Sequence, residues 1–165
     1  RGYYFMFNTS LYQSKYTALD GIERNTRFNV EYLVNALAGK EFAGLGKKKN
    51  RLFSINLKAH FGGGRYIVPL LRDENGDLAV DVEQGLIFEY SKAYESKLDD
   101  LVNVVLSVSH KWNLQRTTHE LYLNIDNLTN SQARMREFYN VNEPGGVAYE
   151  RQVGIIPNFL YRIYF

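Results

Sequence analysis

Six stretches of this chain alternate polar and apolar side chains with a period of two, a pattern that builds strands and does not build helices. They cover residues 2–16, 26–42, 50–61, 101–112, 118–128 and 158–165. In the third stretch Phe53, Ile55, Leu57, Ala59 and Phe61 oppose Ser54, Asn56, Lys58 and His60. In the fourth Val102, Val104, Leu106 and Val108 oppose Asn103, Ser107, Ser109 and Lys111. Leu121, Leu123 and Ile125 share a face in the fifth, as do Tyr3, Phe5, Phe7 and Leu11 in the first. The second sets Phe28, Val30, Tyr32, Val34 and Ala36 against Arg27, Asn29, Glu31 and Asn35. On this reading Arg27, Glu31, Lys58, Lys111, Glu120, Asp126 and Arg162 all fall on the polar face. A tilted membrane strand needs ~9–11 residues, close to the lengths seen here.

The connections carry a second signal. They are residues 17–25, 43–49, 62–100, 113–117 and 129–157, so moderate or long segments alternate with short ones. Soluble meanders keep most loops short, whereas membrane barrels have tight turns on one side and large loops on the other. Counting back from Phe165, residues 44–49 and 113–117 lie on the periplasmic side, and 62–100 and 129–157 outside the cell. Six strands cannot close such a barrel, and open edges in lipid leave backbone groups unpaired. The expectation is therefore an all-β, antiparallel transmembrane β-barrel of which this chain supplies six strands.

Composition fits that expectation. There are 13 Tyr and 10 Phe but a negative mean hydropathy of −0.36, as expected when one strand face meets lipid and the other water. With 20 basic and 18 acidic residues there is no broad basic field, so no nucleic-acid partner is expected. The absence of cysteine excludes disulfides and thiol chemistry. The chain starts at Arg1-Gly2 without an initiator Met or signal peptide, and is taken as a piece of something longer.

The ending Pro157-Asn158-Phe159-Leu160-Tyr161-Arg162-Ile163-Tyr164-Phe165 resembles the outer-membrane C-terminal signature. That resemblance makes Phe159, Tyr161, Ile163 and Phe165 the signal read by the barrel-assembly machinery. Further stretches are Asp20-Gly21-Ile22-Glu23-Arg24-Asn25-Thr26-Arg27-Phe28-Asn29, Gly39-Lys40-Glu41-Phe42 and Gly63-Gly64-Arg65-Tyr66. Leu98-Asp99-Asp100, Thr117-Thr118-His119-Glu120 and Asn124-Ile125-Asp126-Asn127-Leu128-Thr129-Asn130 follow in order. Together they are similar to the end of TonB-dependent receptors, particularly the Bacteroidota type with a carboxypeptidase-regulatory-like N-terminal domain.

The resemblance implies strands 17 to 22 of a 22-strand barrel whose plug and TonB contact lie upstream. Its implied function is uptake of a scarce ligand such as an iron chelate, cobalamin or a glycan, without catalysis and without a cofactor. Implied partners are outer-membrane lipid and lipopolysaccharide, TonB through the plug, and the assembly machinery, with a surface lipoprotein as a further candidate. The rival reading is a soluble, complete lipocalin-like barrel that binds a small ligand.

Candidate chemistry concentrates in the long loops. Arg65, Tyr66 and Tyr90 in the first of them, with Arg134, Arg136 and Tyr139 in the second, suit anionic or sugar-like ligands through bidentate hydrogen bonds and stacking. If Leu114-Gln115 is a two-residue turn, His110 and His119 face each other, as an interfacial pair more readily than a metal site, since further ligands are missing. Asp73-Glu74-Asn75-Gly76-Asp77 departs from a calcium loop at Leu78 and Gln84, so an exposed Asn-Gly turn is expected. Lys47-Lys48-Lys49 is expected in a solvated periplasmic turn, and Gly62-Gly63-Gly64 in a flexible strand exit. Asn8 and Asn127 match the N-glycosylation pattern but fall within expected strands. No Ser, His and acid converge as in a hydrolase.

Overall fold

The computed structural model describes residues 2–81 and 85–165; Gln84 lies outside them. One antiparallel sheet dominates. Its strands are β1 (Tyr3–Leu11), β2 (Tyr32–Leu45), β3 (Arg51–Gly62), β4 (Leu101–Asn113), β5 (Thr118–Asp126) and β6 (Ile156–Tyr164). They pair in the order in which they occur in the chain, which leaves β1 and β6 as edges. Short hairpins decorate the connections, and the only helical segments among the described residues are single 3-10 turns at Tyr90–Lys92 and Pro144–Gly146. The chain is all-β.

Both short turns, 46–50 and 114–117, lie at one end of the sheet, and all three long connections, 12–31, 63–100 and 127–155, lie at the other. We call these the short-turn end and the long-loop end.

Register assigns the faces, because residues directly opposite in an antiparallel ladder point the same way. Leu57 pairs with Ala38 and Leu106, Leu106 with Ile125, and Phe5 with Ala38, so the apolar sets of all strands share one face. The polar sets share the other. The usual burial is reversed: Leu57 is 46% exposed and Leu123 41%, while Ser54 and Glu120 are 6% and 8% exposed. Among the described residues the buried apolar side chains are Leu70, Ala93, Leu98 and Ala133, all within the connections.

The polar face is knit by hydrogen bonds. Asn35 donates to Asn8 and its oxygen lies 2.7 Å from His60 Nδ1, Asn103 donates to Asp126, and Tyr122 and Ser107 meet around Asn124. Tyr4 donates to Asn56 above Gly39, where any Cβ would collide with both side chains. Glu120 sits 3.7 Å from both Lys111 and Arg162 and accepts a bond from Tyr164. That triad ties β4, β5 and β6 in register, since a one-residue slip would leave a buried carboxylate alone. A concavity of about 500 Å³ on this face is lined by residues of β2 to β5, among them Lys58, Asn103 and Asp126.

Several boundaries differ from the sequence reading. The first stretch ends as a sheet strand at Leu11, and Lys15–Thr17 turns back on Glu23–Asn25 as a separate hairpin. The second begins at Tyr32 rather than residue 26: Asn29 is buried and Glu31 takes φ 64°, so Arg27 and Glu31 belong to a connection and not to the polar strand face. The β4–β5 turn holds four residues, with the Leu114 N–H donating to the Thr117 carbonyl. Trp112 therefore opposes His119, and His110 opposes Leu121, so the two histidines are not a facing pair. Two strand charges stand on the apolar face: Lys40, in the row of Tyr3 and Ile55, and Arg51, opposite Trp112.

Candidate functional site: a clamped loop platform

Above the long-loop end the three connections are cross-linked. Glu31 of the first accepts bonds from Tyr66 (2.6 Å) and Lys97 (2.8 Å) of the second. Asp100 accepts from the Gly64 N–H and from Tyr32. Asp99 of the second binds Arg134 of the third through the guanidinium, at 2.6 and 3.0 Å, and through its backbone N–H at 2.8 Å. The Arg134 guanidinium also lies 5.0 Å from the Tyr149 ring centre. Such bidentate, charge-assisted pairs are the stronger class of hydrogen bond.

Three buried or close-packed motifs anchor the loop bases. Asn29, 2% exposed, accepts from the Ser14 N–H and donates to Asn25. Asn127, at φ 49° just past the end of β5, donates to the carbonyls of Ser131 and Val153, both at 2.7 Å, and accepts from the Ser131 N–H. Gly63 and Gly64 are buried, and a Cβ on either would strike the carbonyl of Val30 or of Leu98. The triple glycine is thus a close approach of backbones, not a loose exit. Asp73 instead closes its own turn, accepting from the N–H groups of Asn75 and Asp77 with Gly76 at φ 87°.

The clamps hold a cavity of about 440 Å³. One arginine from each connection lines it: Arg27, Arg65 and Arg136. All three are exposed, and among the described residues none forms an ion pair. Tyr66, Phe88, Tyr90 and Tyr94 supply aromatic wall, and Glu137 is the one carboxylate in the lining among the described residues. Guanidinium groups beside aromatic rings suit a planar or anionic guest.

Of the residues singled out from the sequence, Arg65, Tyr66, Tyr90 and Arg136 are brought together here. Arg134 is committed to Asp99, the Tyr66 hydroxyl is committed to Glu31, and Tyr139 lies in the Arg134–Tyr139 hairpin strand outside the cavity lining. Arg27 was hidden by its place in an alternating stretch. Phe159, Tyr161 and Ile163 lie on the apolar face of β6, with Phe165 beyond its end.

The carboxylates of the clamp share a direction of shift. Hydrogen bonds from Arg134 hold Asp99 at about 2, those from Lys97 and Tyr66 lower Glu31, and those from Tyr32 and Gly64 lower Asp100. A depressed carboxylate contributes stability above its unfolded value, ~4, and loses it as pH falls through the folded value. The platform should therefore stay closed from neutrality down to about pH 4 and release between about pH 4 and 2. The mobility of a nitroxide on a single cysteine placed within 127–155, followed as a function of pH, checks this, and release already at about pH 6 would contradict it.

No protein-family model, no curated protein and no solved structure matches this chain.

Proposed function

We propose that this chain forms part of the wall of an outer-membrane β-barrel, and that its long loops gather a ligand for uptake, in the manner of the TonB-dependent receptors its sequence resembles. The observation that carries the proposal is the reversed polarity of the sheet, apolar face exposed and polar face sheltered, with every long connection at one end. In water such a face costs ~25 cal/mol per Å² left exposed, and in a bilayer that cost vanishes. From Tyr32 to Phe42 the apolar face of β2 runs roughly 33 Å along the strand, or about 25 Å across a membrane at a ~40° tilt. Aromatic residues mark the short-turn boundary: Phe42, Phe53, His110 and Tyr161 fall in one row, and Trp112 stacks on His119 at 5.3 Å. The hydrogen-bonded polar face then lines the lumen. A lipocalin-like barrel would put these faces the other way round.

The ligand would enter at the cavity between Arg27, Arg65 and Arg136, which favours an anionic molecule bearing a planar or aromatic group. Fractionation of the parent protein tests the proposal. Recovery in the outer membrane as a band that migrates faster unboiled than boiled is the expected result. A soluble, monodisperse protein would sink it.

A further inference from the structure

Charge is unevenly placed along the strands. At the short-turn end Lys40, Lys47, Lys48, Lys49, Arg51 and Arg116 occupy the apolar face or the two turns. The acidic side chains at that end among the described residues are Glu41 and Glu120, both on the polar face, and Glu120 is already taken by Lys111 and Arg162. Lys40 is the telling residue. Its ammonium lies 4.1 Å from the centre of the Tyr3 ring and 4.5 Å from that of Phe42, and it donates to the Tyr3 hydroxyl. Two same-face steps nearer the turn, Arg51 pairs across the ladder with Trp112, on the same face as Lys40. Among the described residues neither cation has a carboxylate partner.

A cation on a lipid-facing surface is tolerable only at the depth of the headgroups, where its long stem lies along apolar neighbours and its charge meets anions. The aromatic row lies between the two cations, with Lys40 one same-face step on its apolar side and Arg51 one step on its turn side, so the Lys40 stem reaches along Phe42 to bring its ammonium to that depth. We propose that the apolar face at the short-turn end, from Lys40 to the Lys47-Lys48-Lys49 turn, binds the phosphate groups of anionic phospholipids. The inference rests on the membrane reading given above. Tyr3, Phe42 and Trp112 flank the glycerol region, Lys40 and Arg51 contact the phosphate, and the lysine turn adds attraction screened by salt.

Spin-labelled phosphatidylglycerol and phosphatidylcholine, each at trace level in phosphatidylcholine vesicles holding the full-length parent protein, measure the preference directly. The motionally restricted fraction should favour phosphatidylglycerol by about threefold or more at low salt and fall towards parity at about 0.5 M salt. It should also fall in a Lys40→Gln/Arg51→Gln variant, and in one with Lys47, Lys48 and Lys49 changed to Gln, which alters an exposed turn alone. Insertion of each variant is checked by heat modifiability. Equal association of both lipids with the inserted wild type overturns the inference and leaves the barrel intact, as does a preference unchanged in both variants. A parent that fails to insert overturns both.

Discussion

On the membrane reading proposed above, Leu106→Arg should remove the folded protein from the outer membrane, while Ser107→Arg, the same substitution one residue on, should leave most of it in place. Leu106 is near the middle of β4 on the apolar face, paired with Leu57 on one side and Ile125 on the other. An arginine there would meet lipid near the midplane, at ~2–4 kcal/mol, comparable to a large part of the margin that holds a folded state. Ser107 faces the polar side beside Asn124 and Tyr122. Its loss costs about 1 kcal/mol of hydrogen bonding, and the guanidinium has a polar concavity of about 500 Å³ to enter. Heat-modifiable band intensity reads both variants. Equal loss, or loss at Ser107 alone, would contradict the assignment of faces.

Asn127→Leu should free the third connection without dissolving the sheet. Leucine has the same side-chain branching and number of heavy atoms as asparagine but cannot donate to the Ser131 and Val153 carbonyls or accept from the Ser131 N–H. Two carbonyls and one N–H then lose their side-chain partner, and a branched side chain is forced to φ 49°. The expected cost is about 3–5 kcal/mol, concentrated at the base of 127–155. Limited proteolysis should cut within that connection while the membrane-protected fragment survives. Arg136, which rides on the same connection, would leave the cavity. Asn127→Asp keeps the acceptor and tolerates the backbone, so it should fall between the two. Wild-type protease resistance in Asn127→Leu would show that the anchor lies elsewhere.

Strand content and loop asymmetry were legible because alternation is a local property: β3, β4, β5 and β6 lie within two residues of their expected bounds. Non-local partners were not legible. Nothing in the run from Thr26 to Tyr32 announces that Asn29 would be buried by Ser14 and Asn25, which breaks a pattern that still alternates. The His110–His119 pairing failed on turn length, since Leu114 closes on Thr117 and shifts the partner of His119 to Trp112. At the cavity, residue type pointed to arginine and tyrosine, but only geometry separates Arg65 and Arg136, which line it, from Arg134, which Asp99 consumes. The conspicuous glycines were visible, whereas the carbonyls of Val30 and Leu98 that require them were not. Lys40 shows the converse: position on a strand fixes its face, but its aromatic partner Tyr3 lies on another strand.

On the proposed reading the apolar face of the sheet meets lipid. The chain has no cysteine, so single nitroxide labels placed in turn at Ser54, Ile55, Asn56, Leu57, Lys58 and Ala59 each have one target within it. In the parent protein reconstituted in vesicles, collision with oxygen, which concentrates in lipid, is compared with collision with a water-soluble nickel chelate. Collision should alternate with a period of two, with oxygen dominant at Ile55, Leu57 and Ala59 and suppressed at Asn56 and Lys58. The opposite phase, or no alternation at all, would contradict it.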